Sequence, residues 1–233
     1  DQKAAEAAER QTKLTVELRS CDSRIHLLSE LEKELEGFSK AAKIVMQESE
    51  RGTLRGVHGP VGKMIRTEDR YALAVETALG AHVGDIIVDT QDNGKDIFAL
   101  LKRRDGGRVT LQPMDVIRPA RLNGEPRGEA GYVGVWSDLV NCDKRYSAVI
   151  ASLLGRTAVA ETLTDAIAIA RRHNNSFRIV TLDGQILNAG GSMTGGSAGK
   201  NTGILSRANE LKRLREKRGD LEAQLSQTES QRR

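Results

Sequence analysis

Hydrophobic residues at both ends of the chain follow the alternating four-and-three spacing of a coiled coil. The first series is Leu14, Leu18, Cys21, Ile25, Leu28 and Leu35, with Glu32 as its polar member. The last series is Leu211, Leu214, Leu221, Leu225 and Thr228, interrupted by Arg218. Neither stripe is wide enough to be buried on a globular surface. We therefore expect the two ends to pair as an antiparallel intramolecular coiled coil.

The middle of the chain alternates the patterns of strands and helices. The predicted order is a strand near 53–57, a helix over 69–79 between a Thr67 cap and a Gly80 stop, a strand at 86–88, a helix over 96–104 and a strand at 108–111. Because strand, helix and strand follow one another, we expect a partly parallel sheet and a mixed α/β fold.

The same succession then occurs a second time. Tyr71, Leu79-Gly80 and the strands at 86–90 and 108–111 correspond to Tyr146, Leu154-Gly155 and strands at 158–162 and 179–182, with a helix over 165–173 between these last two strands. The Asp183-Gly184 pair predicts a hairpin that places 178–181 antiparallel to 185–187. We expect an arm at 1–51, a two-lobed body at 52–202 and an arm at 203–233. The body would have halves at 52–112 and 131–202, joined by a Pro-, Gly- and Arg-rich connector at 113–130.

Composition limits the class of protein. With 233 residues, of which 38% are hydrophobic and 29% charged, the chain can form one sizeable core. No apolar run approaches the roughly 20 residues that cross a bilayer, so we expect a soluble, intracellular protein without membrane contact. Cys21 and Cys142 are isolated, and structural thiols are favoured over a disulfide or a catalytic thiol.

Positive charge is concentrated at the end of the chain. From Lys200 onward nine basic residues face five acidic ones, and this difference of four equals the net charge of the whole chain, +4. Such a stretch can attract phosphate backbones. The alternative is that these side chains solvate a coil and pair with acidic residues of the other arm.

Candidate catalytic and metal-binding residues are sparse. His26, His58, His82 and His173 have no serine or cysteine at a recognisable spacing, and there is no CxxC pair for zinc. Aromatic residues make up only 3% of the chain, which provides no stacking platform for single-stranded nucleic acid. The sequence therefore favours a module that is not an enzyme and carries no cofactor of its own.

The glycine-rich stretch from Gly190 to Lys200 has three interpretations. Its Gly199-Lys200 end resembles a phosphate-binding loop, but the required first glycine is Thr194 and the hydroxyl after the lysine is Asn201. A flexible linker is the second interpretation. The third is that glycines allow two backbones to approach closely, as when a sheet edge pairs with another chain.

Several motifs, in order and spacing, resemble one family. They are 56–62 (GVHGPVG), Leu79-Gly80, 107–113 (GRVTLQP), 138–140 (DLV), 153–155 (LLG), 178–184 (RIVTLDG) and 190–196 (GGSMTGG). Together they resemble the hinge domain of structural maintenance of chromosomes (SMC) proteins, most closely the bacterial type. The resemblance implies a dimer of two-lobed hinges that joins long coiled-coil arms and takes part in chromosome condensation and segregation.

The resemblance also assigns roles to residues. It places a homodimer interface at Gly190, Gly191, Ser192, Met193, Thr194, Gly195 and Gly196, with a second contact at Gly131, Tyr132, Val133, Gly134 and Val135. It implies weak, sequence-independent DNA contact at Lys200 and Arg207, with Lys40, Lys43, Lys212 and Arg213 as neighbours. Some relatives carry consecutive lysines where this chain has only Gly199-Lys200.

The resemblance places other functions outside this chain. It implies that ATP and magnesium bind a distant head domain, that accessory subunits act on the heads, and that the parent protein is cytoplasmic and nucleoid-associated. The alternative hypothesis is a nucleotide-dependent α/β enzyme with a coiled-coil insertion, supported by the strand–helix alternation and the incomplete GK motif.

Overall fold

The computed structural model describes residues 2–197 and 203–230, which form two compact units. One unit contains the chain up to Glu36 together with the residues from Arg207 onward, and the other is Gly37–Ser206. The helices are α1 (Gln2–Lys33), α2 (Lys40–Glu50), α3 (Val61–Met64), α4 (Asp69–Leu79), α5 (Gln91–Arg103), α6 (Ser147–Leu154), α7 (Leu163–Arg172) and α8 (Ile204–Ser230). The strands are β1 (Val57–Pro60), β2 (Ile65–Arg66), β3 (Ile86–Val88), β4 (Leu111–Pro113), β5 (Tyr132–Val135), β6 (Asn141–Cys142), β7 (Thr157–Ala160), β8 (Arg178–Thr181), β9 (Ile186–Leu187) and β10 (Met193–Thr194).

The first unit is an antiparallel pair made by α1 and the part of α8 from Arg207 onward. Its apolar core contains the side chains predicted for both series: Leu14, Leu18, Cys21, Ile25, Leu214, Leu221 and Leu225. Polar contacts give the direction, because Gln11 bonds to Glu229, the Cys21 thiol to the Leu214 carbonyl, and Arg24 to Glu210. Residue numbers rise on one helix as they fall on the other. The antiparallel coiled coil is confirmed.

The second helix belongs to the body, although the predicted first arm, 1–51, includes it. The chain turns after α1 through left-handed backbone at Leu35 (φ 53°) and Gly37 (φ 95°). Ser39 then caps α2 by accepting a hydrogen bond from the Ala42 amide. Ala41, Ala42 and Val45 are buried against β3 and α5. The boundary between the units therefore follows Glu36 and not residue 51.

The first half of the body has a three-stranded sheet in the order β1-β3-β4. Strand β1 pairs with β3 antiparallel, and β3 pairs with β4 parallel through the crossover helix α5. Helix α5 begins five residues before the predicted start, because Thr90 and Asn93 form a capping box. Strand β4 lies at 111–113, slightly later than the predicted 108–111.

The second half repeats this arrangement and extends it. Its sheet has the order β10-β9-β8-β7-β5, in which β5 pairs with β7 antiparallel and β7 with β8 parallel. In both halves the antiparallel outer strand has a register shift next to a glycine, Gly59 in β1 and Gly134 in β5. The predicted hairpin is present as β8 and β9. The two related halves of the mixed α/β fold are confirmed.

One hydrophobic core is shared by the two halves. Helix α4 of the first half packs against α6 and β8 of the second, and Tyr71 meets the fully buried Trp136 edge-to-face at 6.0 Å between ring centroids. The short strands β2 and β6 pair across the halves. Thr67 does not cap α4 as predicted, since its hydroxyl donates to the Leu139 carbonyl. The halves therefore form a single folded body.

The start of α8 is anchored in this same core. Leu205 is fully buried, and its amide donates to a carboxylate oxygen of Glu76 on α4 at 2.7 Å. A carboxylate at a helix N-terminus satisfies an otherwise unpaired amide and interacts favourably with the helix dipole. Within the part of the chain that is described, no helix is both long and apolar enough to span a bilayer.

Candidate dimerisation interface

The glycine-rich segment forms an ordered edge strand. A tight turn brings the chain back after β9, with the Asn188 amide donating to the Ser192 carbonyl at 2.8 Å. Strand β10 follows, pairing Met193 with Leu187 and Thr194 with Ile186. Gln185 then holds the end of the strand, since its side chain accepts from the Gly196 amide at 2.9 Å and donates to the Gly196 carbonyl at 3.2 Å. The segment up to 197 is therefore a structured sheet edge and not a loose linker.

Although it is ordered, this edge is exposed along its length. Every residue from Gly190 to residue 197 is solvent-exposed, including the large apolar side chain of Met193, at 55%. The backbone of an antiparallel strand faces its neighbour at every second residue. Because Ser192 and Gly196 face β9 or Gln185, the amides and carbonyls of Met193 and Gly195 face away from the sheet. These groups form an open ladder, which proteins usually protect.

The four glycines are needed within this chain for different reasons. Gly190, Gly191 and Gly196 have φ values of 87°, 99° and 127°, in the region that favours glycine. Gly195 needs space instead, because a Cβ there would lie 2.0 Å from the Gln185 amide oxygen. A bulky residue at any of the four would therefore disturb the strand itself, before any effect on a second copy.

A second open edge occurs in the first half, at β4, which is not among the predicted contact sites. The Thr110 carbonyl accepts from Ile86, and the Met114 amide donates to Val88. These bonds direct residues 110, 112 and 114 toward β3, so the Leu111 amide and carbonyl face outward, whereas the Pro113 carbonyl already accepts from the Val116 and Ile117 amides. Proline has no amide to leave unpaired and is therefore found on strand edges. Pro113 is the sequence signal that could have identified this edge.

The predicted second contact, at 131–135, lies on β5, at the opposite edge of the five-stranded sheet from β10. Val135 is fully buried, so its side chain cannot reach another molecule, and Val133 is half-buried against the shared core. Gly131 has φ 75°, and a Cβ there would collide with Asp165. Gly134 lies at the register shift. The structure thus places the two predicted contacts at opposite edges of one sheet.

Tyr132 is held by charged groups of the connector. Its hydroxyl donates to Glu125 at 3.2 Å, and burial, together with the Glu125 charge, raises the pKa of Tyr132 to about 12. Arg127 and Arg121 bond to the same carboxyl group and keep the pKa of Glu125 below its ordinary value. This network fixes the connector on the second half.

The residues predicted to contact DNA differ in how exposed their side chains are. Lys200 lies outside the described residues. Arg207 is only 7% exposed and donates to the Glu36 carbonyl, so it is unavailable to a phosphate group. Within the body, Lys40 is exposed and donates to the Asp105 carbonyl at 3.5 Å, and Lys43 is half-buried. Within the coil, Lys212 and Arg213 are exposed.

The structure gives no support to a nucleotide-binding loop or a catalytic cluster in the described residues. Residues 190–197 form a turn and an edge strand, and the Gly199-Lys200 end of the motif lies outside the described residues. His58 lies between Tyr146 and Asp89, and His173 bonds to Glu129. Both histidines join elements of the fold. Among the described residues no group of three possible metal ligands comes together.

Comparison with known proteins decides the family. The model of the family described as "SMC proteins Flexible Hinge Domain" matches residues 54–170. The chain belongs to the SMC hinge family. It is 35% identical to the chromosome partition protein Smc of Bacillus subtilis over 205 residues, which are 86% of this chain and 17% of that protein. The corresponding protein of Halothermothrix orenii is 34% identical over 198 residues, 83% of this chain and 16% of that protein.

Solved structures agree with this assignment. The fold is similar to the crystal structure of an asymmetric dimer of the Geobacillus stearothermophilus SMC hinge domain, with TM-score 0.88, 32% identity, and coverage of 97% of this chain and 92% of that one. It is also similar to the Pyrococcus furiosus SMC hinge domain, with TM-score 0.57, 25% identity, and coverage of 78% and 94%. As an SMC hinge, the chain is a non-catalytic domain. It spans about one sixth of the length of the bacterial Smc relatives.

Proposed function

We propose that this SMC hinge forms a homodimer that joins two coiled-coil arms, and that β10 is the strand through which one copy binds the other. The observation that carries this proposal is that β10 is held in place by its own chain, yet exposes outward-facing backbone groups and Met193. A pre-ordered edge can add a strand with little loss of conformational entropy. The dimeric hinge of G. stearothermophilus, 32% identical, is consistent with this proposal.

We favour β4 as the edge that receives β10 of the second copy. In the second half β9 and β10 extend the sheet beyond β8, whereas the first-half sheet ends at the corresponding strand, β4. Strand β5, the other candidate, has a register shift and a buried Val135. Since β10 and β4 belong to opposite halves, a twofold axis would create the same contact twice and close a ring.

The test compares two substitutions of Met193. One removes its outward-facing amide, and the other, the control, keeps the amide and an apolar side chain. Met193→Pro deletes the Met193 N–H, and Met193→Leu retains it. Sedimentation equilibrium should show a dimer for the wild type and for Met193→Leu, and at least about tenfold weaker association for Met193→Pro. Circular dichroism checks that both variants are folded. Wild-type association by a folded Met193→Pro protein would exclude β10 as the binding edge.

In the parent protein this dimer would connect two SMC chains for chromosome partition, the function named for the bacterial relatives. ATP and magnesium would act in a head domain outside this chain, accessory subunits would bind those heads, and the assembly would associate with the nucleoid. The hinge itself would need no cofactor. A pull-down with differently tagged full-length chains, with and without Met193→Pro, tests whether joining depends on this strand.

Weak DNA contact is a second proposed function, supported by the exposed basic side chains. In the coil these are Lys212 and Arg213, and in the body Lys40. Such contact would be independent of sequence and would weaken steeply with salt. Charge reversal of Lys212 and Arg213 together should lower duplex affinity and flatten the dependence of log K on log salt. An unchanged slope would leave these residues as part of the solvated coil surface.

A further inference from the structure

Four large apolar side chains are exposed in the described part of the body, and three of them lie on or next to the elements that form the open edges. They are Leu73 at 40%, Phe98 at 52%, Val116 at 42% and Met193 at 55% exposure. Exposed apolar side chains that lie together often mark a contact surface. Apolar side chains next to the open edges β4 and β10 would therefore be candidates for the dimer contact.

Phe98 and Val116 lie beside β4. A Cβ on Gly94 of α5 would be 3.1 Å from the Leu111 side chain, so this face of α5 covers β4. Phe98 follows Gly94 by four residues and lies one turn further along the same helix face. Val116 lies three residues after the end of β4, and its amide donates to the Pro113 carbonyl. Two exposed apolar side chains therefore flank β4, Phe98 on the helix that covers it and Val116 in the loop that follows it.

Met193 lies on the other open edge, whereas Leu73 lies on α4 near the turn between β8 and β9. Met193 is part of β10, and the Leu73 side chain is 3.7 Å from the Cβ position of Gly184, in the turn before β9. Directly paired residues of antiparallel strands place their side chains on the same face. Met193 is paired with Leu187, which is buried among α7 residues, so Met193 lies on the α7 face of its sheet. Phe98 lies on α5, which is the equivalent helix of the first half.

We infer that Phe98 of one copy packs against Met193 of the second copy, forming the apolar anchor of the dimer. The inference rests on the proposed pairing of β10 with β4. It takes the two sheets to join with α5 of one copy and α7 of the other on the same face, the arrangement in which Phe98 and Met193 lie on the same side of the joined strands. The flexible thioether of methionine packs favourably against an aromatic ring. By the twofold axis the contact occurs twice, and it would bury two of the four exposed side chains in each copy.

A double-mutant cycle tests this pair. Dimer dissociation constants are measured by sedimentation equilibrium for wild type, Phe98→Ala, Met193→Ala and the double variant. Each single change should weaken association about tenfold or more, as interface anchors do. The double variant should be at least about threefold tighter than the product of the single effects. Leu27→Ala, an equally exposed change on the coil, is the control and should have no effect.

Cross-linking provides an independent arm. With Cys142 replaced by serine, a chain carrying Phe98→Cys is mixed with one carrying Met193→Cys, and a short bismaleimide is added. Covalent heterodimer in the mixture, with little product from either chain alone, supports the contact. If the wild type is dimeric but Phe98→Ala associates normally, or if the effects of the Phe98 and Met193 substitutions on the dissociation constant are additive, the anchor is overturned. The proposed function then stays intact. A monomeric wild type overturns both.

Discussion

Gln185 fastens the end of β10, so its removal should weaken dimerisation without unfolding the body. Gln185→Ala deletes the two hydrogen bonds to Gly196, of 2.9 and 3.2 Å. Each net bond contributes about 0.5–1.5 kcal/mol, and both are exposed, so we take about 1 kcal/mol for the pair. A closed dimer uses this edge twice, which gives about 2 kcal/mol, or roughly a thirtyfold higher Kd.

Three measurements check this reasoning on the same protein. Sedimentation equilibrium gives the Kd, hydrogen exchange of the Gly196 amide reports opening of the strand, and urea unfolding of dilute monomer reports global stability. The first two should change and the third should stay close to wild type, because β10 is at the sheet margin. Gln224→Ala, an exposed change on the coil, is the control. Faster Gly196 exchange with an unchanged Kd would refute the claim that an ordered β10 is required.

The close approach of Gly195 to the Gln185 side chain provides a second test. Gly195→Ala should displace the Gln185 amide, since the new Cβ would lie 2.0 Å from its oxygen. In the Gln185→Ala background that oxygen is gone, so the second change should add little. Strictly additive effects on the Kd would mean that the Gly195 substitution acts through something other than Gln185.

Three further changes test the body, the connector and the coil. Leu205→Ala should destabilise the body by about 2–5 kcal/mol, because Leu205 is fully buried, and calorimetry should show a lower Tm, with Val16→Ala as the exposed control. His173 and Arg172 hold the pKa of Glu129 below its ordinary value. The ion pairs therefore stabilise the fold fully at a pH above the ordinary pKa of glutamate, and this stabilisation is lost as the pH falls through the lowered pKa. Glu129→Gln should therefore lower the Tm most at pH 6, with a Tm difference that shrinks as the pH falls, and a difference that grows toward acid pH would contradict the pairing. Arg207→Gln should reduce coil stability and leave DNA affinity unchanged, since Arg207 is buried; weaker DNA binding by the folded variant would count against this assignment.

Much of the architecture could be predicted because it depends on periodic patterns. The coil residues repeat at helical spacing, and the strand–helix–strand succession occurs twice, so both the paired arms and the related halves were visible in the sequence. The prediction places α2 in the wrong unit for a physical reason. Its buried residues Ala41, Ala42 and Val45 show the spacing of any amphipathic helix, and that spacing does not say which surface covers them.

The remaining features depend on contacts between distant residues. Strands β2 and β6 are two residues each and become strands only by pairing with each other. Glu76 caps α8 from 129 positions away, and the carbonyl that Arg207 binds is 171 positions away. A charged residue near a helix start looks like a surface cation in sequence, and only the fold shows Arg207 to be buried. The open edge at β4 differs from these features because it could be predicted locally: a proline in a strand pattern, here Pro113, already indicates an edge.

The shared core also determines how the hinge can be divided. Because α4 of the first half is packed on α6 and β8 of the second, neither half alone could cover its apolar surface. A cut in the connector, for example at the exposed Gly124, would leave two fragments that must find each other to fold. Co-expressed halves should therefore reconstitute one hinge, whereas either fragment produced alone should aggregate. The duplication is thus an interlocked pair and not two independent modules in series.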